Sequence, residues 1–208
     1  MPVFGPEDFA RLTGASAEQM SDLNRFRESL EAWSERINLV GPSARSDFWL
    51  RHAYDSAQLL EAARAPAKVW ADLGAGAGFP GVVLAVMLKA IPGGRVHLVE
   101  SQAKRCRFLS EVVADLALPA VVHNARAESL RLTGIDMVTA RACAPLPRLL
   151  GYAAPFMKAG ARGLFLKGRG VEAELAEARK SWRFEAVLTP SRSDPSGALL
   201  GIERLSRV

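Results

Sequence analysis

Apolar residues recur at alternating intervals of three and four positions in the first forty residues, and this spacing predicts an amphipathic α-helix. The members of the stripe are Leu23, Phe26, Leu30, Trp33, Ile37 and Val40. Charged residues fill the positions between them, and the pattern lasts less than three heptads, which is too short for a coiled coil. We therefore predict a helix packed on the body of the protein and ended by Gly41, Pro42 and Ser43.

A second helix is expected at residues 47–60. His52, Asp55 and Ser56 lie within one turn of it, close enough to share hydrogen bonds. A local cap or hydrogen bonds on the helix surface are the simplest explanation of this cluster.

From residue 67 onwards, short apolar runs alternate with stretches of helical spacing. Strands separated by helices imply βαβ units and a mostly parallel sheet. Only about ten residues separate the last two strands, too few for a helical crossover, so these two should pair as an antiparallel hairpin. After a first strand that begins at residue 69, the expected strands are 95–100, 120–123, 137–141, 162–167, 184–188 and 199–205, and the expected helices are 104–116, 146–152 and 171–182.

The fold expected from this order is α/β and Rossmann-like, with a mostly parallel seven-stranded sheet, an antiparallel C-terminal hairpin and an N-terminal helical extension. A chain of 208 residues is the size of one such domain with an extension. We assign residues 1–66 to the extension, packed on the core, and residues 67–208 to the cofactor domain.

A glycine-rich turn follows the first expected strand. Its four glycines are Gly74, Gly76, Gly78 and Gly81. Glycine is needed where the backbone takes a positive φ or lies directly against a ligand. An apolar helix begins after Pro80, so the free N–H groups at its N-terminus should point toward that ligand. The order of strand, turn and helix therefore predicts a nucleotide-cofactor site.

Two cofactors fit this turn. The segment from Gly76 to Gly81 satisfies the dinucleotide fingerprint G-x-G-x-x-G, which would bind NAD. Asp72 favours S-adenosylmethionine instead, because a carboxylate there would repel a pyrophosphate and attract the α-ammonium of a methionine moiety. A purely structural glycine-rich turn is the third possibility.

The net charge of +5 is distributed unevenly along the chain. Residues 1–66 hold 7 Lys or Arg and 10 Asp or Glu, whereas residues 67–208 hold 20 and 12, so the basic excess belongs to the cofactor domain. Such an excess fits a nucleic-acid partner, and it also fits an ordinary solvated surface. The apolar runs are too short to span a membrane, and no signal peptide is recognisable. We expect a cytoplasmic protein with two free thiols, Cys106 and Cys143.

Polar residues follow the carboxyl ends of several expected strands, where ligands bind in doubly wound sheets. Glu100 closes the second strand and is expected to accept hydrogen bonds from ribose hydroxyl groups with either cofactor. Ala127 and Glu128 follow the third strand, where they could meet an adenine edge. Arg141 ends the fourth strand, beside the expected place of the transferred group; a structural loop arginine is the alternative.

Other chemistries have weaker support. No Asn-Pro-Pro-aromatic segment follows the fourth strand, which disfavours methylation of an exocyclic adenine amine. Cys143 could supply the thiolate of a cytosine-C5 methyltransferase, with Arg141 nearby to lower its pKa, but it has no preceding proline and we expect a packing residue. The histidines show no metal-ligand spacing, so we expect no metal site; they are His52, His97 and His123.

Seven short segments of the chain together carry a family resemblance. They are NLVG at 38–41, RHAYDS at 51–56, DLGAGAGFPG at 72–81, KRCRFL at 104–109, RAE at 126–128, ARA at 140–142 and LKG at 166–168. In combination they resemble the glucose-inhibited division protein B family, which are bacterial 16S ribosomal RNA guanine-N7 methyltransferases. The resemblance implies a class I S-adenosylmethionine-dependent methyltransferase fold. It also implies methylation of a guanine in the 530 loop, beside the decoding site.

The resemblance implies cofactor contacts at Gly74, Phe79, Ala127, Glu128 and Arg141. With the residues argued above, the cofactor candidates are Asp72, Gly74, Gly76, Gly78, Phe79, Glu100, Ala127, Glu128 and Arg141, and Arg141 is also the catalytic candidate. The candidates for RNA contacts are Arg51, His52, Lys167 and Arg169. We expect a monomer that acts on 16S ribosomal RNA, as a precursor or in the small-subunit particle. Cys143 departs from the family pattern after the Arg-Ala pair and keeps the cytosine alternative open.

Guanine N7 is an unprotonated lone pair, so its attack on a sulfonium methyl group needs no general base. In-line positioning and electrostatics can then supply the catalysis. Because positive charge moves onto the purine during transfer, a cation close to N7 would oppose the reaction. We therefore expect Arg141 to hold O6, a phosphate or the cofactor carboxylate.

Overall fold

The computed structural model describes residues 4–37, 39, 47–63 and 66–208. The chain starts with two helices, α1, Pro6–Thr13, and α2, Ala17–Ser34. The stripe residues Leu23, Phe26 and Leu30 are buried along α2, which confirms the predicted apolar face. The helix ends at Ser34, earlier than the stripe suggested. Val40 and the predicted stop at 41–43 lie outside the described residues, as does most of the 38–41 segment.

The predicted second helix is present and has two parts. A π-helix, Phe48–Tyr54, is continued by α3, Asp55–Ala62. The Ser56 hydroxyl donates to the His52 carbonyl at 2.6 Å, which is the local hydrogen bond expected for this cluster. Asp55 differs, because its carboxylate also bonds residues far away in the chain. π-Helical turns are rare and often occur at functional sites.

Seven strands form a single sheet. They are β1, Val69–Leu73; β2, Arg95–Glu100; β3, Ala120–Asn124; β4, Met137–Arg141; β5, Arg162–Lys167; β6, Trp182–Pro190; and β7, Ala198–Arg207. Their order across the sheet is β3-β2-β1-β4-β5-β7-β6. The first five strands pair in parallel, and β7 runs antiparallel to both β5 and β6. This confirms the predicted fold. The strand order reverses between β1 and β4, where such sheets leave a crevice for ligands.

Four helices connect the strands: α4, Gly81–Leu88; α5, Ala103–Asp115; α6, Leu146–Lys158; and α7, Val171–Ala178. Two predicted helix ends were wrong by four residues or more. Helix α6 runs past the predicted end at residue 152 and includes Pro155, because Ala153 and Phe156 extend its buried face. Helix α7 stops at Ala178, and Trp182 begins β6, where its indole N–H donates to the Pro147 carbonyl at 3.0 Å.

The N-terminal helices share one hydrophobic core with the sheet. The ring of Phe26 in α2 lies 5.2 Å from that of Phe79 and 6.4 Å from that of Phe108, centre to centre. One turn before Phe26, the buried Asp22 pairs with Lys89 at 2.8 Å. The segment before β1 is therefore packed on the sheet domain. The division of the chain at residue 66 stays a prediction.

Candidate active site

The glycine-rich turn joins β1 to α4 at the crevice. The N–H groups of Gly74 and Ala75 both donate to the Val99 carbonyl of β2, at 2.8 and 3.0 Å. Gly74 has a φ of 73°, and a Cβ on it would lie 2.8 Å from Cys143 Sγ. A side chain here would be strained and would fill the space between the turn and the end of β4.

A pocket of about 270 Å³ opens between this turn, the end of β2 and the segment after β3, and we call it the turn pocket. Four cofactor candidates line it, namely Gly74, Glu100, Ala127 and Glu128. The other residues around it are Val99, Ser101, Gln102, Arg105, Ala125, Arg126, Ala142, Cys143 and Tyr152. Most of these residues lie outside the sequence motifs, so their place in the pocket follows only from the fold.

The Glu100 carboxylate is held by two backbone donors. Its Oε2 accepts the Gly76 N–H at 3.0 Å, and its Oε1 accepts the Gln102 N–H at 2.8 Å. A carboxylate has about four acceptor positions, so it can still receive hydroxyl groups from a ligand in the turn pocket. The oriented acid, the side-chain-free Gly74 and the open space beside them fit the ribose end of S-adenosylmethionine.

Asp72 lies near the end of β1, just before the glycine-rich turn. Its side chain is fully buried and does not line the turn pocket. One oxygen, Oδ2, accepts the Gly81 N–H at 2.9 Å, so the carboxylate bonds the N-terminus of α4. Burial raises the pKa of this carboxyl to about 7, and the Gly81 N–H counteracts part of that rise. Asp72 thus bonds the N-terminus of α4, and its expected attraction for an α-ammonium stays a prediction.

Three further cofactor candidates also lie outside the turn pocket. Gly76 contributes indirectly, through its N–H bond to Glu100. A Cβ on Gly78 would meet Val82 at 2.7 Å, so this glycine allows close packing in the core. Phe79 is 4 % exposed, and its ring packs against that of Phe26. Core atoms occupy the space around the side-chain positions of both residues, and the expected cofactor contacts at Gly78 and Phe79 stay predictions.

A second pocket of about 860 Å³ lies beside the first, between the π-helix, the ends of β4 and β5, and the β6–β7 loop. We call it the Arg141 pocket. It is lined by Arg51, His52, Asp55, Arg141, Ala142, Cys143, Ala144, Pro145, Leu166, Lys167, Gly168, Glu174, Ser191, Asp194, Gly197 and Ala198. Ala142 and Cys143 border both pockets. A group bound in one pocket can therefore approach a group bound in the other at this point.

Arg141 lies in the wall of the larger pocket, at the end of β4 as predicted. Its Nη1 donates to the Arg51 carbonyl at 2.9 Å and lies 3.5 Å from Asp55 Oδ2. Its Cζ is 4.9 Å from the centre of the Phe79 ring, a cation–π contact. The residue does not border the turn pocket, so a contact with the cofactor stays a prediction.

His52 stacks on the Phe79 ring, with 4.7 Å between ring centres and 24° between planes. Burial, together with the charges of Arg141 and Arg51, lowers the pKa of its imidazole to about 3. Neither ring nitrogen has a hydrogen-bond partner among the residues that the structure describes. The side chain is therefore neutral at physiological pH and brings no positive charge to an RNA phosphate.

The other RNA candidates differ in how free their charges are. Lys167 pairs with Glu174 at 2.6 Å and its side chain is only 9 % exposed. Arg51 pairs with Asp194 at 3.0 Å. Arg169 is exposed in the β5–α7 loop and forms no ion pair within the described part of the chain. Of these three cations, Arg169 is the one that is exposed and unpaired among the described residues.

Cys143 is a neutral thiol in this site. Burial and the nearby carboxylates, of which Asp72 contributes most, raise its pKa to about 11. The predicted lowering of this pKa by Arg141 was therefore wrong. Since the thiolate is the nucleophilic form, this environment opposes a cytosine-C5 mechanism.

The two other histidines form a pair away from both pockets. His97 and His123 lie side by side on β2 and β3, with Nδ1 and Nε2 2.9 Å apart. No group of three or more potential metal-ligating side chains occurs in ranges 4–37, 47–63 and 66–208. Within the described residues, no helix has the length and hydropathy needed to cross a bilayer.

Comparison with known proteins decides the family. The sequence model described as rRNA small subunit methyltransferase G, GidB, matches residues 19–193. The chain belongs to this family. A relative named ribosomal RNA small subunit methyltransferase G from Caulobacter vibrioides is 58 % identical over 200 residues, which cover 96 % of this chain and 92 % of that protein. One of the same name from Paramagnetospirillum magneticum is 46 % identical, with 98 % and 97 % covered. The family predicted from the seven segments is thus confirmed.

Solved structures agree on the fold. A mutant of MtNAS in complex with S-adenosylmethionine has a TM-score of 0.59 at 15 % identity, covering 96 % of this chain and 84 % of that one. A SAM-dependent methyltransferase from Aquifex aeolicus has a TM-score of 0.56 at 16 % identity, with 84 % and 97 % covered. The GidB-family chain therefore has the sheet of S-adenosylmethionine-dependent methyltransferases, as predicted.

Proposed function

We propose that this GidB-family enzyme transfers a methyl group from S-adenosylmethionine to N7 of a guanine in the 530 loop of 16S ribosomal RNA. The observation that carries the proposal is the meeting of two pockets at Ala142 and Cys143. The turn pocket holds the nucleoside end of the cofactor, and the Arg141 pocket receives the guanine. The family membership and the fold of the sheet support the same reaction.

The turn pocket binds the cofactor through a few oriented groups. Glu100, fixed by Gly76 and Gln102, accepts the ribose hydroxyl groups. Gly74 lines the pocket and presents only backbone atoms to the cofactor. Ala127 and Glu128 border the place of the adenine. When bound, S-adenosylmethionine supplies an electrophilic methyl group on a sulfonium sulfur.

The Arg141 pocket positions the acceptor. Guanine N7 needs no general base, and the groups present agree with this: His52 is neutral and half-buried, and the Cys143 thiol is protonated. In-line orientation of the two reactants then supplies much of the rate enhancement. The Arg141 guanidinium donates to O6 or a backbone phosphate and so orients the purine edge.

Surface charge brings the RNA to the pocket. The excess of cations lies in residues 67–208, and the exposed Arg169 stands in the loop that follows β5, at the same end of the sheet as the pocket. Backbone phosphates are the groups such a side chain recognises. We propose that Arg169 contacts the RNA backbone and that Arg51 and Lys167 mainly shape the pocket through their ion pairs.

The test measures transfer of a labelled methyl group from S-adenosylmethionine to 16S ribosomal RNA. The RNA is supplied both free of protein and in the assembled small-subunit particle. We expect incorporation into at least one of these forms and none into 23S ribosomal RNA. Calorimetric titration with S-adenosylhomocysteine and with NAD accompanies it. Binding of NAD without S-adenosylhomocysteine would contradict the proposal, and RNA affinity without binding of either cofactor would indicate a nonenzymatic RNA-binding protein.

A further inference from the structure

One carboxylate, that of Asp55, connects three segments around the Arg141 pocket. Its Oδ2 lies 3.5 Å from Arg141 Nη1 at the end of β4. Its Oδ1 accepts hydrogen bonds from the hydroxyl groups of Ser191 and Ser193 in the β6–β7 loop, and from Gln58 Nε2 one turn along α3. The side chain is 15 % exposed, so water screens these contacts only in part.

Arg141 depends on the same region for its other contacts. It donates to the Arg51 carbonyl, one turn before Asp55, and rests over the Phe79 ring. Among the described residues, Asp55 is the carboxylate paired with this guanidinium. The position and direction of the Arg141 side chain are therefore set largely by groups at the junction of the π-helix and α3.

The charge of this pair also suits the reaction. Methyl transfer leaves a positive charge on the purine, and an uncompensated guanidinium in a partly buried pocket would repel it. A carboxylate 3.5 Å from the guanidinium offsets part of that repulsion. The guanidinium keeps several N–H groups for the acceptor, since Arg carries five donors.

We propose that Asp55 is the positioning residue of the methyl-transfer site, which fixes the Arg141 guanidinium in the pocket wall and neutralises its charge beside the methylated purine. The inference rests on the proposed function, because it assumes that Arg141 contacts the acceptor. It explains why one carboxylate receives donors from both the α3 helix and the β6–β7 loop.

A double-mutant cycle on kcat tests this proposal, with Asp55→Asn, Arg141→Ala and the combined variant at saturating RNA. Asparagine keeps the size of the side chain and an acceptor for the serine hydroxyl groups, but it removes the charge. We expect Asp55→Asn to lower kcat by about tenfold or more in the native protein, and by less than about threefold when Arg141 is already alanine. Affinity of Asp55→Asn for S-adenosylhomocysteine should stay within about threefold of that of the native protein, because Asp55 does not border the turn pocket.

Glu61→Gln is the matched control. Glu61 lies on the same helix and pairs with Arg192 of the same loop at 2.6 Å, but both side chains are exposed and neither contacts Arg141. Its kcat should be unchanged. If Glu61→Gln lowers kcat as much as Asp55→Asn, the loop attachment and not Arg141 is responsible, and the proposal is wrong.

Two further outcomes separate the proposals. If Asp55→Asn lowers kcat equally with Arg141 present and absent, the positioning role of Asp55 is wrong. The same holds if Asp55→Asn does not lower kcat when Arg141 is present. Neither result affects the proposed methyl transfer. Full activity of Arg141→Ala would overturn both the role of Arg141 in the proposed function and the positioning role of Asp55.

Discussion

The sulfur of Cys143 faces Gly74 across the floor of the turn pocket, 2.8 Å from the point where a Cβ on Gly74 would lie. This relationship packs the glycine-rich turn against the end of β4 and leaves no room for a side chain on Gly74. The glycine-rich turn is recognisable as a sequence motif, whereas Cys143, its partner in this contact, belongs to no such motif.

Gly74→Ala should therefore weaken cofactor binding. The added methyl group meets Cys143, and the φ of 73° is unfavourable for alanine. We expect affinity for S-adenosylhomocysteine, measured by calorimetry, to fall by about tenfold or more. Gly151→Ala is the control, since its Cβ would make only an ordinary 3.8 Å contact with the Trp182 ring. Equal affinities of the two variants would mean that the cofactor does not lie against Gly74.

The raised pKa of the Asp72 carboxyl predicts how the stability of the protein depends on pH. Its carboxyl has a pKa of about 7 when folded and 3.8 as its ordinary value, so the folded state holds the proton more tightly. Stability from this group is greatest below its ordinary pKa and is lost as pH rises toward the folded pKa. The free energy of unfolding of Asp72→Asn, relative to the native protein, should thus rise by roughly 2 to 3 kcal/mol between about pH 5 and about pH 8.

Chemical denaturation of the cofactor-free proteins across this pH range measures the difference. Asparagine can still accept the Gly81 N–H, so the helix cap is retained. A stability difference that does not change with pH would show that Asp72 is ionised throughout and that its burial is compensated by other groups.

Arg169→Ala should weaken RNA binding by removing an electrostatic contact. The side chain is exposed and unpaired in the described residues, so its charge is available to a phosphate. We expect KM for RNA to rise several-fold and the slope of log KM against log salt to fall by about one. Lys158→Ala, an exposed cation at the C-terminal end of α6, should change neither quantity. Identical salt slopes for native and Arg169→Ala protein would remove Arg169 from the interface.

Arg141→Ala and Cys143→Ala should affect turnover very differently. Loss of a charge-assisted hydrogen bond to the acceptor should lower kcat by roughly a hundredfold for Arg141→Ala. Cys143 has a pKa of about 11 and supplies no nucleophile, so Cys143→Ala should stay within about threefold of the native kcat. Single-turnover methylation with a shared RNA preparation compares the two. An inactive but folded Cys143→Ala protein would restore the cytosine-C5 mechanism.

Local periodicity was enough to predict the sheet. Strands β2, β4 and β5 begin and end at the predicted residues, because apolar runs bounded by turn residues leave little choice. The wrong boundaries lie where this signal is ambiguous. Helix α6 continues past residue 152 and through Pro155, and Trp182, predicted as the end of a helix, begins a strand.

The site was predicted less completely, for a physical reason. Motifs and strand ends indicated Gly74, Glu100 and Arg141, since parallel strands bring their carboxyl ends to one edge. The hydrogen bond between Ser193 and Asp55 joins residues 138 positions apart, and no local spacing reveals it. The burial of Asp72 and the neutral state of Cys143 likewise depend on three-dimensional packing.

The most direct test of the central claim is the position of the transferred methyl group. Methylated 16S ribosomal RNA is reduced and treated with aniline, which breaks the chain at 7-methylguanosine, and the fragments are mapped by primer extension. We expect one enzyme-dependent break at a guanine of the 530 loop, absent when S-adenosylmethionine is omitted. A labelled product that resists cleavage, or a break elsewhere in the RNA, would contradict guanine-N7 methylation at this site.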